Sequence, residues 1–448
     1  MVQLLQHQVE DAKFLASKPG VRGLFSGMGS GKTLTAIEAL AQVRHVNEQY
    51  DGFGGDVVVI APPITLKMWA EEIYEHTGLP TQIIRKGSDK IDADADVIIL
   101  SYDLATKRAD ELHWLTPSVL ICDEAHALKN IKAKRTKAIL GRGGLCEAAE
   151  FTWLLTGTPI TRYNDDVYAF LLRAAGPESF RERLGGTGID RFRLRHCVTQ
   201  LKSFGRGKPT PVVVGNRNTE ELSEWIFGGY AVRRELQEVW DAMPDLTISH
   251  LEVGYTASAS LKRELSKLSD LDLDDLEESL LSGDGHIATI RRQLGIAKVP
   301  ASAKEIVDRV EAGNSPILVG AIHHDVIDAL DVYFRNAGIV HGVIDGRTPN
   351  HHRDQFIDAF NAHDIDVLIG QISAMGVGVN LQGGHHIVEV ETDWSPAIMD
   401  QWRARCHRMG QAKTVHVDVF NTDTNLDHAI RRIQATKRRD QATAMSAA

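Results

Sequence analysis

Residues Ser26 to Thr33 read SGMGSGKT, lying between the apolar run GLF and a helical pattern that starts near Leu34. A glycine-rich turn entering a helix aims consecutive backbone N–H groups and the positive end of the helix dipole at one point, which is the chemistry of phosphate binding. In that arrangement Gly27, Met28, Gly29, Ser30 and Gly31 wrap the phosphates of a nucleotide. Lys32 neutralises its β- and γ-phosphates, and the Thr33 hydroxyl coordinates Mg2+. Ser26 is a departure, because the pattern G-x-x-x-x-G-K-[ST] opens on glycine.

A second run, VLICDEAH from Val119 to His126, delivers two adjacent carboxylates at the end of an apolar strand. Asp123 can hold Mg2+ through water, and Glu124 can orient and deprotonate an attacking water, the positioning that phosphoryl transfer requires. Far downstream, QWRARCHRMGQ from Gln401 to Gln411 places Arg405 and Arg408 three residues apart, the spacing of one helical face. An arginine that reaches the γ-phosphate from elsewhere in the chain is worth roughly 10³–10⁵ in rate.

The elements that must position these groups form two series. From 20 to 175, GLF, VVVIAP, VIILS, VLICDEAH and TWLLTGTP alternate with helical stretches such as Leu66 to His76. A second series from Pro316 runs PILVGAI, VHGVIDG, VLIGQ, HIVEVE and VHVDVF, with helices through Ala329–Asn336 and Phe356–Phe360. Such alternation predicts an α/β fold of two lobes, each a parallel sheet flanked by helices. We therefore expect a first lobe at 1–175, helical insertions and the interlobe connection at 176–310, and a second lobe at 311–448.

Composition bounds the remaining possibilities. The 448 residues, 43% hydrophobic and 25% charged, suit two or three globular domains. No apolar run approaches the roughly 20 residues that span a bilayer, and the first residues do not read as a secretory signal, so a cytoplasmic (or, in a eukaryote, nuclear) location is expected. Cys122, Cys146, Cys197 and Cys406 are scattered without a CxxC pair, which predicts buried free thiols rather than a metal site. The net charge of −10 opposes a polyanion partner overall. Two basic clusters offer local exceptions: Arg191, Arg193, Arg195, Lys202, Arg206 and Lys208, and then Arg431, Arg432, Lys437, Arg438 and Arg439. The acidic run from Asp270 to Glu278 is expected on an exposed helix away from any phosphate track.

Taken in order, these motifs resemble the superfamily-two helicases, and among them the Swi/Snf (sucrose non-fermenting) family of DNA translocases. The resemblance covers nearly the whole chain: LLQHQ at Leu4, MGSGKT, IAPPITLKMW at Ile60–Trp69, LSYD at Leu100–Asp103, DEAHALKN at Asp123–Asn130, LLTGTPI at Leu154–Ile160, IDGRT at Ile344–Thr348, GVGVNL at Gly376–Leu381, DWSP at Asp393–Pro396 and QWRARCHRMGQ. RRQLGIAKVP at Arg291–Pro300, AIHHDVIDAL at Ala321–Leu330, RHC at Arg195–Cys197, GNRNTEEL at Gly215–Leu222 and VRRELQEV at Val232–Val239 look most like its annealing-helicase (HARP-like) branch. The resemblance implies two RecA-like lobes, ATP and Mg2+ as ligands, and a monomer acting on double-stranded or branched DNA.

It also implies roles for single residues. Gln8 reads the adenine edge, Gly378 lies at the nucleotide, and Gln401 approaches the γ-phosphate beside Arg405 and Arg408. Thr156 to Pro159 link the nucleotide to the track, and Thr65, Ser101, Tyr102, Thr348 and Ser373 line the DNA groove. Ala404 departs from the family, which carries an acid there. No chromatin-reader module or zinc finger is recognisable, so targeting falls to the insertions or to a protein partner. The expected activity is ATP-driven movement along duplex DNA. A strand-separating or RNA helicase, and a DNA-structure-binding factor whose ATPase switches affinity, are the alternatives.

Overall fold

The computed structural model describes residues 4–48, 57–202, 210–240, 243–282, 284–375 and 379–445. The chain divides into two compact units, Met1–Asp241 with Arg439–Ala448, and Ala242–Arg438.

The first unit is built on β1 (Gly20–Leu24), β2 (Val57–Ile60), β3 (Thr81–Ile84), β4 (Val97–Leu100), β5 (Val119–Asp123) and β6 (Phe151–Leu155). An antiparallel hairpin, β7 (Cys197–Lys202) and β8 (Thr210–Asn216), and a short strand β9 (Ala231–Val232) follow. Its main sheet has the order β3-β4-β2-β5-β6-β1-β9, and every pair in it is parallel. The unbroken apolar runs of β2, β4 and β5 follow from burial on both faces. Val58, Ile60, Ile98, Leu100, Leu120 and Cys122 pack on one side. Val57, Val59, Val97, Ile99, Val119 and Ile121 pack on the other.

The second unit repeats this plan with β10 (Leu246–Glu252), β11 (Ile317–Ala321), β12 (His341–Ile344), β13 (Val367–Gln371), β14 (His386–Glu389) and β15 (Val415–Asn421). These form one parallel sheet in the order β10-β15-β14-β11-β13-β12. Leu318, Leu368, Ile387 and Val417 fill one core, and Ile317, Val319, Val367, Ile369 and Val388 the other.

The stretch 176–310 is not a separate body. Its β9 extends the first sheet and its β10 pairs with β15 at the edge of the second. Within the second unit, helices Ala259–Ser269, Leu273–Ser282 and Gly285–Glu311 share a third apolar core with helix Asn425–Met445, through Leu261, Leu276, Ile287, Leu294, Ile430 and Ile433. The stretch carries both helices and strands, and its strands in the two sheets were invisible to a reading based on long apolar runs.

All four cysteines are buried free thiols. Four of the clustered arginines are paired with carboxylates. Arg193 pairs with Asp165, Arg195 with Glu221, and Arg438 with Asp400. Arg432 binds Asp274 and Glu277, so the acidic run serves as partner to the C-terminal basic helix. Arg206 and Lys208 lie outside the described residues, as does the Lys202 side chain. No described helix is long and apolar enough to cross a membrane.

Candidate active site

β6 lies between β1 and β5, so the loops leaving the carboxyl ends of these three neighbouring strands converge, the usual ligand position in a parallel sheet. The first loop is the phosphate-binding run. Gly29 and Gly31 adopt φ of 78° and 79°, a left-handed backbone that glycine tolerates without cost. Helix Lys32–Glu48 starts directly after them, carrying Lys32 and Thr33 in its first turn. Lys32 Nζ donates to the carbonyls of Ser26 (3.0 Å) and Gly27 (2.9 Å). Met28 lies against Gly157 on the loop after β6, where an added Cβ would stand 2.9 Å from Met28 Cγ.

Ser26, the departure from the phosphate-loop pattern, has a physical role. It is buried, and its hydroxyl accepts the Arg234 N–H at 3.1 Å. One residue on, the Gly27 N–H donates to the Arg234 carbonyl at 2.8 Å. The segment following β9 therefore runs beside the phosphate loop as a short extra ladder. The Arg234 guanidinium reaches back to helix Gln6–Ala16, donating to Asp11 (3.2 Å) and Glu10 (3.0 Å). Burial raises the Asp11 carboxyl, and Arg234 acts against that rise. His7 Nε2, from the same helix, stands 3.2 Å from the Ser30 carbonyl. Arg234 is a residue the sequence reading missed; VRRELQEV marked it only as part of a pattern.

Asp123 closes β5 and is 8% exposed. Its carboxylate accepts the Trp69 indole N–H at 2.9 Å and the Glu124 N–H at 2.9 Å. Burial pushes its pKa up to about 6. The Glu124 charge adds to the rise, while the Trp69 bond and Lys32 oppose it. Glu124 adopts a left-handed φ of 49°, an uncommon backbone for a non-glycine residue. Its Oε2 lies 3.1 Å from His126 Nδ1, and that nitrogen is also 3.4 Å from Thr156 Oγ1 after β6. The Thr156 hydroxyl in turn accepts the Thr158 N–H. A polar chain thus joins the water-activating candidate to the Thr156–Pro159 loop.

The site suits a magnesium-nucleotide. Ser30 Oγ and Thr158 Oγ1, on the loops after β1 and β6, are buried hydroxyls with no hydrogen-bond partner among the described residues. The Asp123 oxygens keep lone pairs beyond the two bonds they accept. Gln8, expected at the adenine edge, is buried, and its side-chain oxygen accepts the Leu5 N–H at 2.8 Å. The oxygen is therefore committed to capping helix Gln6–Ala16, and a two-point reading of a base would require its release.

Two of the residues expected at the groove have their hydroxyls engaged inside the fold. The Thr65 hydroxyl is buried and donates to the Pro62 carbonyl, and the Tyr102 hydroxyl is buried and donates to the Asp123 carbonyl at 2.6 Å. Both brace the site from within and present no hydroxyl to a strand. Ser101 caps helix Tyr102–Lys107 by accepting the Leu104 N–H. Thr348 is half-buried and bonded within its own turn to Asp345 and Val343, and Ser373 is exposed.

In the second unit, helix Pro396–Arg403 ends before the two arginines, so Arg405 and Arg408 do not share a helical face. Its last residue, Arg403, makes a buried two-point pair with Glu389, at 2.8 Å for each bond. The chain then turns, with the Arg405 N–H bonded to the Trp402 carbonyl and the Arg405 carbonyl accepting the Leu381 N–H. Gln411 holds this turn, its Nε2 lying 3.0–3.2 Å from the carbonyls of Gln382, Gly384 and Cys406. Arg405 is buried, Arg408 and Gln401 partly so. Burial pushes the Arg408 guanidinium below its ordinary value, and no ion pair is formed by it among the described residues. Gly378 lies outside the described residues.

Two RecA-like parallel sheets, a phosphate loop and a strand-end acid pair define a two-lobed, helicase-like ATPase. Family models agree: residues 7–184 match the SNF2-related domain, and 300–410 match the helicase conserved C-terminal domain. The chain belongs to the Swi/Snf, or SNF2-related, family of superfamily-two ATPases. It is similar to a Caenorhabditis elegans SWI/SNF-related matrix-associated actin-dependent regulator of chromatin, subfamily A-like protein 1 homolog (26% identity, covering 93% of this chain and 58% of the relative). It is also similar to the Mus musculus subfamily A member 1 (24% identity, 95% and 42%). The chain thus spans about half the length of these curated relatives. Among solved structures, the Sulfolobus solfataricus SWI2/SNF2 ATPase core in complex with dsDNA aligns over 100% of this chain and 94% of that one, at 18% identity and a TM-score of 0.41.

Two predictions follow from the geometry around Asp123 and Arg234. Asp123 must be ionised to serve Mg2+, so magnesium-dependent ATP binding is expected to weaken as pH falls through about 6. Trp69→Phe removes the indole donor that favours the ionised form, so this limb moves to higher pH. An unmoved limb, measured by ATP affinity against pH, would remove Trp69 from that role. Arg234→Ala should raise the KM for ATP about tenfold, roughly 1.4 kcal/mol, with a smaller effect on kcat, while Arg234→Lys retains part of the affinity. Equal KM values for wild type and Arg234→Ala would show that the ladder beside Ser26 does not position the loop.

Proposed function

We propose that the chain is an ATP-dependent translocase on duplex DNA, remodelling or annealing rather than separating strands processively. The observation that carries the motor reading is the chain Glu124–His126–Thr156. It ties the group that would act on water to the Thr156–Pro159 loop on the neighbouring strand, the link by which a change at the nucleotide would reach that loop. Duplex DNA is supported by the family and by relatives named as regulators of chromatin. The HARP-like pattern of RRQLGIAKVP and AIHHDVIDAL favours the annealing branch.

In this reading the phosphate-loop amides and Lys32 hold the β- and γ-phosphates, and Thr33 and Asp123 hold Mg2+. When bound, the metal withdraws charge from the phosphate oxygens. Glu124 takes a proton from water as the water oxygen bonds to the γ-phosphorus. The bond from that phosphorus to the β–γ bridging oxygen breaks, releasing ADP and phosphate. Gln401, Arg405 and Arg408 of the second unit are the proposed γ-phosphate partners. Arg408 suits the role because a cation held partly out of water, without an ion pair among the described residues, is a receptor for an anion.

The test is steady-state ATPase activity without polymer and with blunt duplex DNA, forked DNA, single-stranded DNA and RNA. Duplex or forked DNA should stimulate turnover most, and stimulation by RNA alone would overturn the polymer assignment. Glu124→Gln should lower kcat by about 10²–10⁴ with ATP binding retained; an undiminished rate would take Glu124 out of the mechanism.

A further inference from the structure

From Ala125 to Cys146 the chain contains no acid, yet Lys129, Lys132, Lys134, Arg135, Lys137 and Arg142 fall within it, in a protein of net charge −10. This tract was not among the basic clusters singled out from the sequence, and it differs from four of their arginines. Arg193, Arg195, Arg432 and Arg438 are all paired with carboxylates. Lys132, Lys134, Arg135 and Lys137 are exposed, and none makes an ion pair among the described residues.

The tract is held in place from below. Helix Lys134–Leu140 buries Thr136, Ile139 and Leu140, and the Thr136 hydroxyl donates to the Leu128 carbonyl at 3.1 Å. This inner face leaves Lys134, Arg135 and Lys137 on the outer one. The helix packs on Tyr102–Lys107, whose first turn is capped by Ser101 and whose last residue, Lys107, is also exposed. Arg135 is close enough to Tyr102 to act on it electrostatically. Lys129, by contrast, points inward to the Thr161 hydroxyl. The segment begins directly after Glu124 and His126, so the same short stretch of backbone carries the candidate base and these outward cations.

Like charges gathered without counter-charge raise one another's energy and are relieved by a polyanion, whose condensed counterions are released on contact. We propose that Lys132, Lys134, Arg135 and Lys137 form a binding surface for the phosphodiester backbone of duplex DNA. The proposal rests on the translocase reading and deepens it, assigning the track to the outer face of helix Lys134–Leu140 and the turn before it. A backbone contact of this kind carries no base specificity, as movement along any sequence requires.

The experiment measures duplex-DNA affinity against salt concentration, with duplex-stimulated and basal ATPase rates alongside. It compares wild type, the fourfold variant Lys132→Ala/Lys134→Ala/Arg135→Ala/Lys137→Ala, and a control, Lys267→Ala/Lys304→Ala, whose lysines are exposed but paired with Glu264 and Asp308. Each lost phosphate contact lowers the slope of log affinity against log salt by about 0.9. The fourfold variant should therefore lose about 2–4 from that slope and at least about tenfold in affinity, with basal turnover unchanged and the control like wild type. An unchanged slope in the variant, with wild type binding and stimulated by duplex, overturns the surface alone. Wild type that neither binds duplex nor responds to it overturns the translocase reading with it. RNA affinity is measured alongside; its loss in the fourfold variant while duplex binding persists overturns the duplex assignment of the surface.

Discussion

The first unit is organised around one costly arrangement, the burial of the Asp123 carboxylate at the end of β5. An isolated carboxylate out of water would take up a proton, so the ionised form needs partners that favour it. Trp69 supplies an indole N–H, the next residue supplies its backbone N–H, and Lys32 supplies charge across the loop. Tyr102 donates to the Asp123 carbonyl from below. Each of these lies in a different motif, and Asp123 explains why they fold against one another. Local pH sensitivity follows with a definite sign. Because the folded-state pKa is raised, ionising Asp123 costs stability as pH rises through about 6, and the proposed metal offsets that cost.

The phosphate loop is constrained from its other side by Arg234. Its backbone ladders onto Ser26 and Gly27, and its side chain holds the helix that begins the chain. Arg234 lies a few residues before the boundary between the units at Asp241. The loop is thus braced by the part of the first unit nearest in sequence to the second. Ser26, at first sight a flaw in the pattern, is the residue that makes this ladder, because a glycine there would leave the Arg234 N–H without its hydroxyl acceptor.

The two parallel sheets were legible because β2, β4, β5, β11 and β13 are buried on both faces and therefore read as unbroken apolar runs. β9 and β10 were not, being a two-residue strand and a half-exposed strand at the edges of their sheets. Lys32, Thr33, Asp123 and Glu124 were found because their chemistry depends on local spacing. Trp69 and Arg234 act through contacts 54 and 208 residues away along the chain, which no local pattern encodes. The helical face assumed for Arg405 and Arg408 failed for a related reason: the helix ends at Arg403, and the turn that follows is held by a backbone bond to Leu381, distant in the sequence. Thr65 and Tyr102 show the limit of carrying a role over from a resemblance, since a hydroxyl can belong to the right motif and still be spent inside the fold.

Binding and hydrolysis of ATP could serve a motor or a switch, and movement separates them. The most direct measurement is displacement of a third strand from a triplex carried on duplex DNA, with ATP and with a non-hydrolysable analogue. The account predicts ATP-dependent release of the third strand, no release with the analogue, and no unwinding of a blunt duplex. DNA affinity that changes with nucleotide while the third strand stays in place would contradict it.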